Sequence, residues 1–169
     1  IVITGVENSG KSTLIKPLAE KFNWPFILEL CRDNKQVLNN KETFETLLSL
    51  HKLEETRVQE LMSTTQAQGV FCDTAGLVLD LWSEAVFGKK VTTEQSTTHI
   101  DLYLLCETVE LWEDDPIRLI PNYKDRVEKN KEFRVRLESQ KSPYIFIPIM
   151  PLYERVEFAE KEIKKLLNV

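Results

Sequence analysis

The stretch Gly5-Val6-Glu7-Asn8-Ser9-Gly10-Lys11-Ser12-Thr13 carries the most explicit chemistry in this sequence. It fits G-x-x-x-x-G-K-[ST], a phosphate-binding loop. It also has the flanks that the motif requires: the apolar run Ile1-Val2-Ile3 before it and the helix-like Leu14-Ile15-Lys16-Pro17-Leu18-Ala19 after it. Glycines at both ends let the backbone bend until several N–H groups point at one anion. The following helix adds its positive N-terminal end. In this geometry Lys11 reaches the β- and γ-phosphates and the Ser12 hydroxyl holds Mg²⁺. Gly5, Glu7, Asn8, Ser9, Gly10, Lys11, Ser12 and Thr13 are therefore expected to surround the phosphates of a nucleotide. A chance match in a Gly/Ser turn is the competing reading, and agreement at the defined positions and at both flanks opposes it. The motif specifies a nucleotide and leaves the reaction open.

Two further groups of candidates follow apolar runs. Phe26-Ile27-Leu28 reads as a short strand, with Glu29-Leu30-Cys31-Arg32-Asp33 at its carboxyl end. Open α/β sheets bind ligands at that end, which makes Glu29, Arg32 and Asp33 candidates for substrate contact. A solvated loop with a surface ion pair fits each of them as well. Val70-Phe71-Cys72-Asp73-Thr74 reads as the next strand. An aspartate at such a strand end holds Mg²⁺ or its water in phosphate-loop proteins, and Asp73 is given that role. The alternative is an N-cap for the helix beginning near Leu77.

The remaining elements must carry these residues to one edge. Lys11 to about Phe22 predicts a helix with Leu14, Ile15, Leu18, Ala19 and Phe22 on one face, despite Pro17. Asn23-Trp24-Pro25 is a turn. From about Glu42 to Gln68 a long helix is expected, with Phe44, Leu47, Leu48, His51, Val58, Leu61 and Met62 at helical spacing and Gly69 as its stop. Its apolar stripe is interrupted at Glu54 and Glu55, and His51 reads as a satisfied core or boundary residue. A helix from near Leu77 runs to a Gly88 stop, and a polar connector covers Lys89 to Thr98. Asp101 to Cys106 is a strand, Glu128 to about Gln140 an exposed helix of alternating charge, and Ser142 to Ile149 the last strand. Tyr153 to Leu167 is a helix with Val156, Ala159, Ile163, Leu166 and Leu167 inward. Five strand candidates alternating with helices predict an α/β, three-layer fold with a parallel five-stranded sheet.

The chain of 169 residues suits one domain spanning 1–169. A formal net charge of −5 opposes a general nucleic-acid or membrane-surface binder. No apolar run approaches the roughly 20 residues needed to span a bilayer. Cys31, Cys72 and Cys106 lack C-x-x-C spacing and read as buried free thiols in a reducing cytoplasm. No signal peptide is expected. The first residue already belongs to a strand, which is consistent with a few residues, or a whole domain, preceding it.

Several segments together resemble a known family. They are the phosphate loop, Glu29-x-x-Arg32-Asp33, Phe71-Cys72-Asp73-Thr74 followed by Val78-x-x-x-Trp82-Ser83-Glu84 and Phe87-Gly88, and the strand Asp101 to Cys106 followed by Trp112-Glu113-x-Asp115-Pro116-x-Arg118 and Pro121-Asn122. The combination resembles the AAA-type ATP-binding domain related to the ribosylnicotinamide kinase half of NadR, in its stand-alone bacterial versions. The resemblance implies the phosphate-loop NTPase fold and a kinase that moves the γ-phosphoryl of ATP to the 5′-hydroxyl of nicotinamide riboside. It implies that Gly10, Lys11, Ser12 and Thr13 bind ATP phosphates and Mg²⁺, that Asp73 is the strand-end acid, and that a lid at about 110–140 supplies Arg118 and Arg126. Trp112 either stacks on a flat ring of the substrate or is a core tryptophan. One departure stands out. The family reads Asp-Thr-Asp after its third strand, and this chain reads Asp73-Thr74-Ala75. The adenylyltransferase half is absent here, so no adenylyl transfer is expected.

The implied reaction needs in-line positioning and positive charge around the transferred group, which Lys11, Mg²⁺ and a lid arginine supply. Glu29 is expected to take or orient the acceptor proton, with Asp33 as the competing base. Partners are then a nucleotide and a small nucleoside; no oligomeric state is specified. A GTPase switch is the main rival, because Asp73-Thr74-Ala75-Gly76 fits D-x-x-G. Against it, a helical pattern fills Glu42 to Gln68, and no N-K-x-D element follows a strand. A third reading is an ATPase or ATP-binding module without a nucleoside acceptor, which Ala75 keeps open.

Overall fold

The computed structural model of the chain describes residues 1–93, 96, 98–115 and 118–168. Its strands are β1 (Val2–Thr4), β2 (Phe26–Ile27), β3 (Phe71–Asp73), β4 (Tyr103–Cys106) and β5 (Tyr144–Ile147). They form one sheet in the order β2-β3-β1-β4-β5, with every pairing parallel. The helices are α1 (Lys11–Phe22), α2 (Lys35–Leu38), α3 (Phe44–Thr64), α4 (Gly76–Phe87), α5 (Tyr123–Ser139) and α6 (Leu152–Leu167), with a 3₁₀ turn at Leu30–Asp33. The expected three-layer parallel architecture is therefore the observed one. Among the described residues no helix is long and apolar enough to cross a membrane.

Strand alternation splits the core into two layers. Ile3, Phe71, Leu104 and Ile147 face α1 and α6, meeting Leu14, Ile15, Leu18, Val156, Ala159 and Ile163. Val2, Cys72, Tyr103 and Leu105 face the other way, against Leu77 and Leu81 of α4 and Phe133 and Leu137 of α5. A third cluster, including Leu47, Leu50 and Leu79, packs α3 onto α4. The register sets Ile3 beside both Asp73 and Leu104. The ends of β1 and β3 therefore open at the same level, and the phosphate loop and Asp73 become neighbours.

Several boundaries differ from those expected. Strands shorten to the residues that make ladder bonds. Helix α5 begins at Tyr123 because the Asn122 side chain accepts from Lys124 N at 2.8 Å and Asp125 N at 3.3 Å, a cap upstream of the charged run. Helix α3 ends at Thr64, short of Gly69. Gly69 serves packing instead: a Cβ there would lie 2.6 Å from the Trp24 ring. On α3 the buried face is Thr46, Leu47, Leu50, His51 and Glu54, while Met62 is exposed. Gly88 does terminate α4, at φ +71°. Helix α1 runs through Pro17. The connector expected at Lys89 to Thr98 lies partly outside the described residues, as do Pro116 and Ile117 of the lid motif.

Candidate active site

The loop between β1 and α1 bends where its sequence permits. Gly5 sits at φ +133° and Gly10 at φ +77°, with Asn8 at φ +59°. Gly5 is also sterically required, because a Cβ there would lie 2.8 Å from the Cys106 carbonyl oxygen; one on Gly10 would lie 2.7 Å from Nη1, the far end of the Arg155 side chain. The first turn of α1 holds no acidic side chain, so its positive end is left to an anion. Lys11 curls back and donates from Nζ to the Val6 carbonyl at 2.9 Å. Thr13 donates to the Gly10 carbonyl at 2.8 Å, and Ser12 is exposed on the first turn.

Helices distant in sequence hold this loop from behind. Asn130 of α5 accepts from Val6 N at 3.1 Å and donates to the Cys106 carbonyl at 3.1 Å, clipping the loop to the end of β4. Arg155 of α6 donates to the Ser9 carbonyl through both terminal nitrogens at 3.2 Å.

A cleft of about 510 Å³ opens in front of the loop. One part is polar, lined by the loop, Arg118 and Lys129. The other has apolar walls from Val37, Val78, Leu81, Trp82 and Phe133, with Glu29 and Arg32 on its rim. The 3₁₀ turn after β2 sets Glu29 and Arg32 three apart on one side, and Arg32 Nε meets Glu29 Oε2 at 2.9 Å. Arg32 Nη1 meets Asp115 Oδ2 at 2.7 Å, so one guanidinium bridges two carboxylates from separate segments. Burial, reinforced by Asp73, raises the pKa of Glu29, while Lys11 and Arg32 oppose the rise. Asp33 is exposed and does not line the cleft, which separates the two candidate bases in favour of Glu29.

Residues around Leu111 and Leu119 lie across the loop. Glu7 accepts from Leu119 N at 2.9 and 3.0 Å and also from Ile120 N. Asn8 donates to the Leu111 carbonyl and accepts from Arg118 Nη1 at 2.9 Å. Arg118 thus reaches the loop. Arg126 does not: it is wholly buried and spends its guanidinium on the carbonyls of Ile120, Pro121, Val109 and Glu110 at 2.6 to 3.1 Å. With both terminal nitrogens bonded to backbone carbonyls, Arg126 ties the crossing segment to α5 and does not line the cleft; its Nε is buried without a partner. Trp112 lies against Arg126, with 4.9 Å between the guanidinium and the ring, and its Nε1 donates to Asp114 at 2.7 Å. It does not line the cleft, so the ring-stacking expectation for Trp112 gives way to a cation–π contact inside the protein.

Asp73 is almost fully buried at the end of β3, with Thr74 Oγ1 donating to it at 3.4 Å. It does not cap α4, whose N-cap is Ala75 and is made without a side-chain bond. Mg²⁺ beside nucleotide phosphates asks for one or two hard oxygen donors, the rest being waters and phosphates. The Ser12 hydroxyl and the Asp73 carboxylate fit in kind; among the described residues there is no larger cluster of metal-binding side chains. Ala75, the departure from the family pattern, is buried in the second core layer and absent from the cleft wall, so the missing carboxyl leaves that lining intact. Gly76 likewise answers to packing, because a Cβ there would lie 2.8 Å from Thr92 and 3.1 Å from His51. The D-x-x-G match therefore has a steric origin. His51 itself is buried, with Nε2 3.0 Å from the Ser96 hydroxyl and Nδ1 without a partner, so it is only half satisfied.

A family model described as an AAA domain matches residues 1–155. The chain belongs to this AAA-domain family. Among solved structures, the AAA domain superposes on a NadR protein in complex with NR, with a TM-score of 0.76 at 19% identity, covering 99% of this chain and 51% of that one. A NadR protein in complex with NAD and AMP-PNP gives 0.72 at 16%, covering 99% and 49%. The chain thus spans about half the length of these NadR structures. Deoxyadenosine kinase from M. mycoides with bound dATP gives 0.64 at 11%, covering 96% and 98%. Thymidylate kinase from Candida albicans gives 0.63 at 16%, covering 97% and 89%. These likenesses show a NadR-like phosphate-loop kinase fold. A search of curated proteins found no match.

Sequence reasoning missed Asn130, Arg155, Lys129 and the apolar cleft wall. A signal existed for two of them. Arg155 lies four residues before Ala159 and eight before Ile163 on the inward stripe of α6, and Asn130 shares a stripe with Phe133 and Leu137. A polar residue on an otherwise apolar face marks a buried polar contact.

Proposed function

We propose that the chain is an ATP-dependent small-molecule kinase that phosphorylates nicotinamide riboside on its 5′-hydroxyl, giving nicotinamide mononucleotide for NAD salvage in the cytoplasm. The observation that carries this reading is that one cleft contains both the phosphate loop and the Glu29–Arg32 pair, beside an apolar wall suited to a flat base. The NadR structure in complex with NR shares this fold and supports the choice of acceptor.

In the proposed reaction Lys11 releases the Val6 carbonyl and turns to the β- and γ-phosphates. Arg118, held at the mouth of the loop, adds positive charge to the transferred group. Ser12 and Asp73 would hold Mg²⁺, which when bound neutralises charge on the phosphate oxygens. Glu29 accepts the hydroxyl proton as the ribose oxygen attacks the γ-phosphorus and ADP departs. Its burial makes it a stronger base than a free carboxylate, and Arg32 keeps it oriented. Val78, Leu81, Trp82 and Phe133 exclude water from the acceptor side.

The test is a panel of nucleosides with Mg-ATP, following ADP release and product mass. Stimulation by nicotinamide riboside alone is the expected result. ATP hydrolysis indifferent to every nucleoside refutes it and supports the ATPase reading. Single-turnover transfer by Glu29→Gln should fall roughly 10²- to 10⁴-fold, and undiminished transfer removes Glu29 from its role.

A further inference from the structure

We propose that Arg155 is a built-in counter-charge for the bound polyphosphate and a positioning residue of the loop, acting from behind the loop rather than from within the cleft. The proposal rests on the nucleotide reading above. Arg155 is 6% exposed and comes from α6, the last helix of the chain. Its guanidinium lies directly against the loop, in the space that the absent side chain of Gly10 leaves. Both terminal nitrogens converge on the Ser9 carbonyl, and Nε is buried without a partner. Among the described residues no carboxylate lies within ion-pairing distance of it.

Arginine stays protonated even when buried, so this is a full positive charge that meets one backbone oxygen and the Cys106 thiol but no carboxylate. A buried ion left in that state is costly unless an opposite charge completes it. The loop at whose back it sits is shaped for a polyanion. Two effects then favour the bound state. The charge attracts phosphate across the thin Ser9–Gly10 backbone, where little water screens it. The peptide plane is also fixed: carbonyl and N–H point in opposite directions across a trans peptide, so drawing the Ser9 oxygen toward α6 turns the Gly10 N–H away from it, into the loop.

The test compares Arg155→Met and Arg155→Lys with the wild type by calorimetry and thermal unfolding, using AMP, ADP and Mg-ATP. R155M should unfold at no lower temperature than wild type without nucleotide, since a buried unpaired charge is removed. It should bind Mg-ATP roughly ten- to hundredfold more weakly, with a smaller loss for ADP and the least for AMP. R155K, which keeps the charge, should recover most of the affinity. An R155M protein that is less stable alone yet gains the full nucleotide stabilisation overturns the proposal, because that is a purely structural role. R155K as weak as R155M also overturns it, because hydrogen-bond geometry then outweighs charge. Should R155M fail to fold, R155K against Arg155→Gln makes the same comparison. A wild-type chain indifferent to all three nucleotides overturns the nucleotide reading itself, and this proposal with it.

Discussion

Replacing Glu54 with glutamine should stabilise the protein in alkaline solution and leave it unchanged in acid. Glu54 lies on the inward face of α3 and is only 9% exposed. It shares cavity walls with Cys72, Ala75 and Tyr103 beneath β3. Burial, with a smaller contribution from the neighbouring Glu55 charge, pushes its pKa up from 4.5 to about 8. The sign follows from proton linkage. Between those values the folded state holds a proton that the unfolded state releases, so stability is complete below pH 4.5 and is lost as pH rises towards 8. At about 1.4 kcal/mol per pH unit, the loss reaches about 3 kcal/mol near pH 7 and about 5 kcal/mol above pH 8. Glutamine matches the protonated acid in shape and never ionises, so Glu54→Gln removes the slope. Urea unfolding of both proteins at pH 5, 7 and 9 measures the difference directly. A wild-type-to-variant gap that stays constant across this range refutes the argument, because it means that the Glu54 carboxyl ionises in the fold as readily as in the unfolded chain.

Other outcomes follow from single contacts. Glu7→Gln removes the charge from the carboxylate that holds Leu119 N and Ile120 N; amide exchange at those two residues should quicken roughly tenfold by NMR, and unchanged exchange means that Glu7 is no latch. Arg126→Met leaves four part-buried carbonyls without their charged donor; it should cost about 3–5 kcal/mol in urea unfolding, and a cost below 1 kcal/mol contradicts the tie. Gly69→Ala places a methyl 2.6 Å from the Trp24 ring; a loss of about 1–3 kcal/mol is expected, and a neutral result means that the ring gives way.

The fold was largely legible because its signals are local. Apolar runs such as Phe71-Cys72 and Leu104-Leu105 are buried on both faces of the sheet, and they read as strands without partners being known. Helix periodicity placed α1, α4 and α6 to within a residue or so at each end. Misreadings arose where a second element supplied the reason. Gly69 resembles a helix stop, but its demand comes from Trp24 across the turn. Arg126 resembles a phosphate ligand because it is a cation in a lid, and only the packed segment reveals carbonyls at both of its terminal nitrogens.

The amino-acid order alone determined the phosphate loop, since glycine placement, the following helix and Lys11 lie within one short window and owe nothing to distant contacts. It also marked Glu29 and Asp73 as strand-end acids. Tertiary structure decided which candidates share a chamber. Glu29 and Asp33 stand four positions apart, yet the turn between them sends one to the cleft and the other to solvent. Asn130 and Arg155 come from helices more than 100 residues beyond the loop. Their relation to it is one of through-space distance, which a linear pattern does not encode until the sheet brings the ends of β1 and β4 and the start of α6 together.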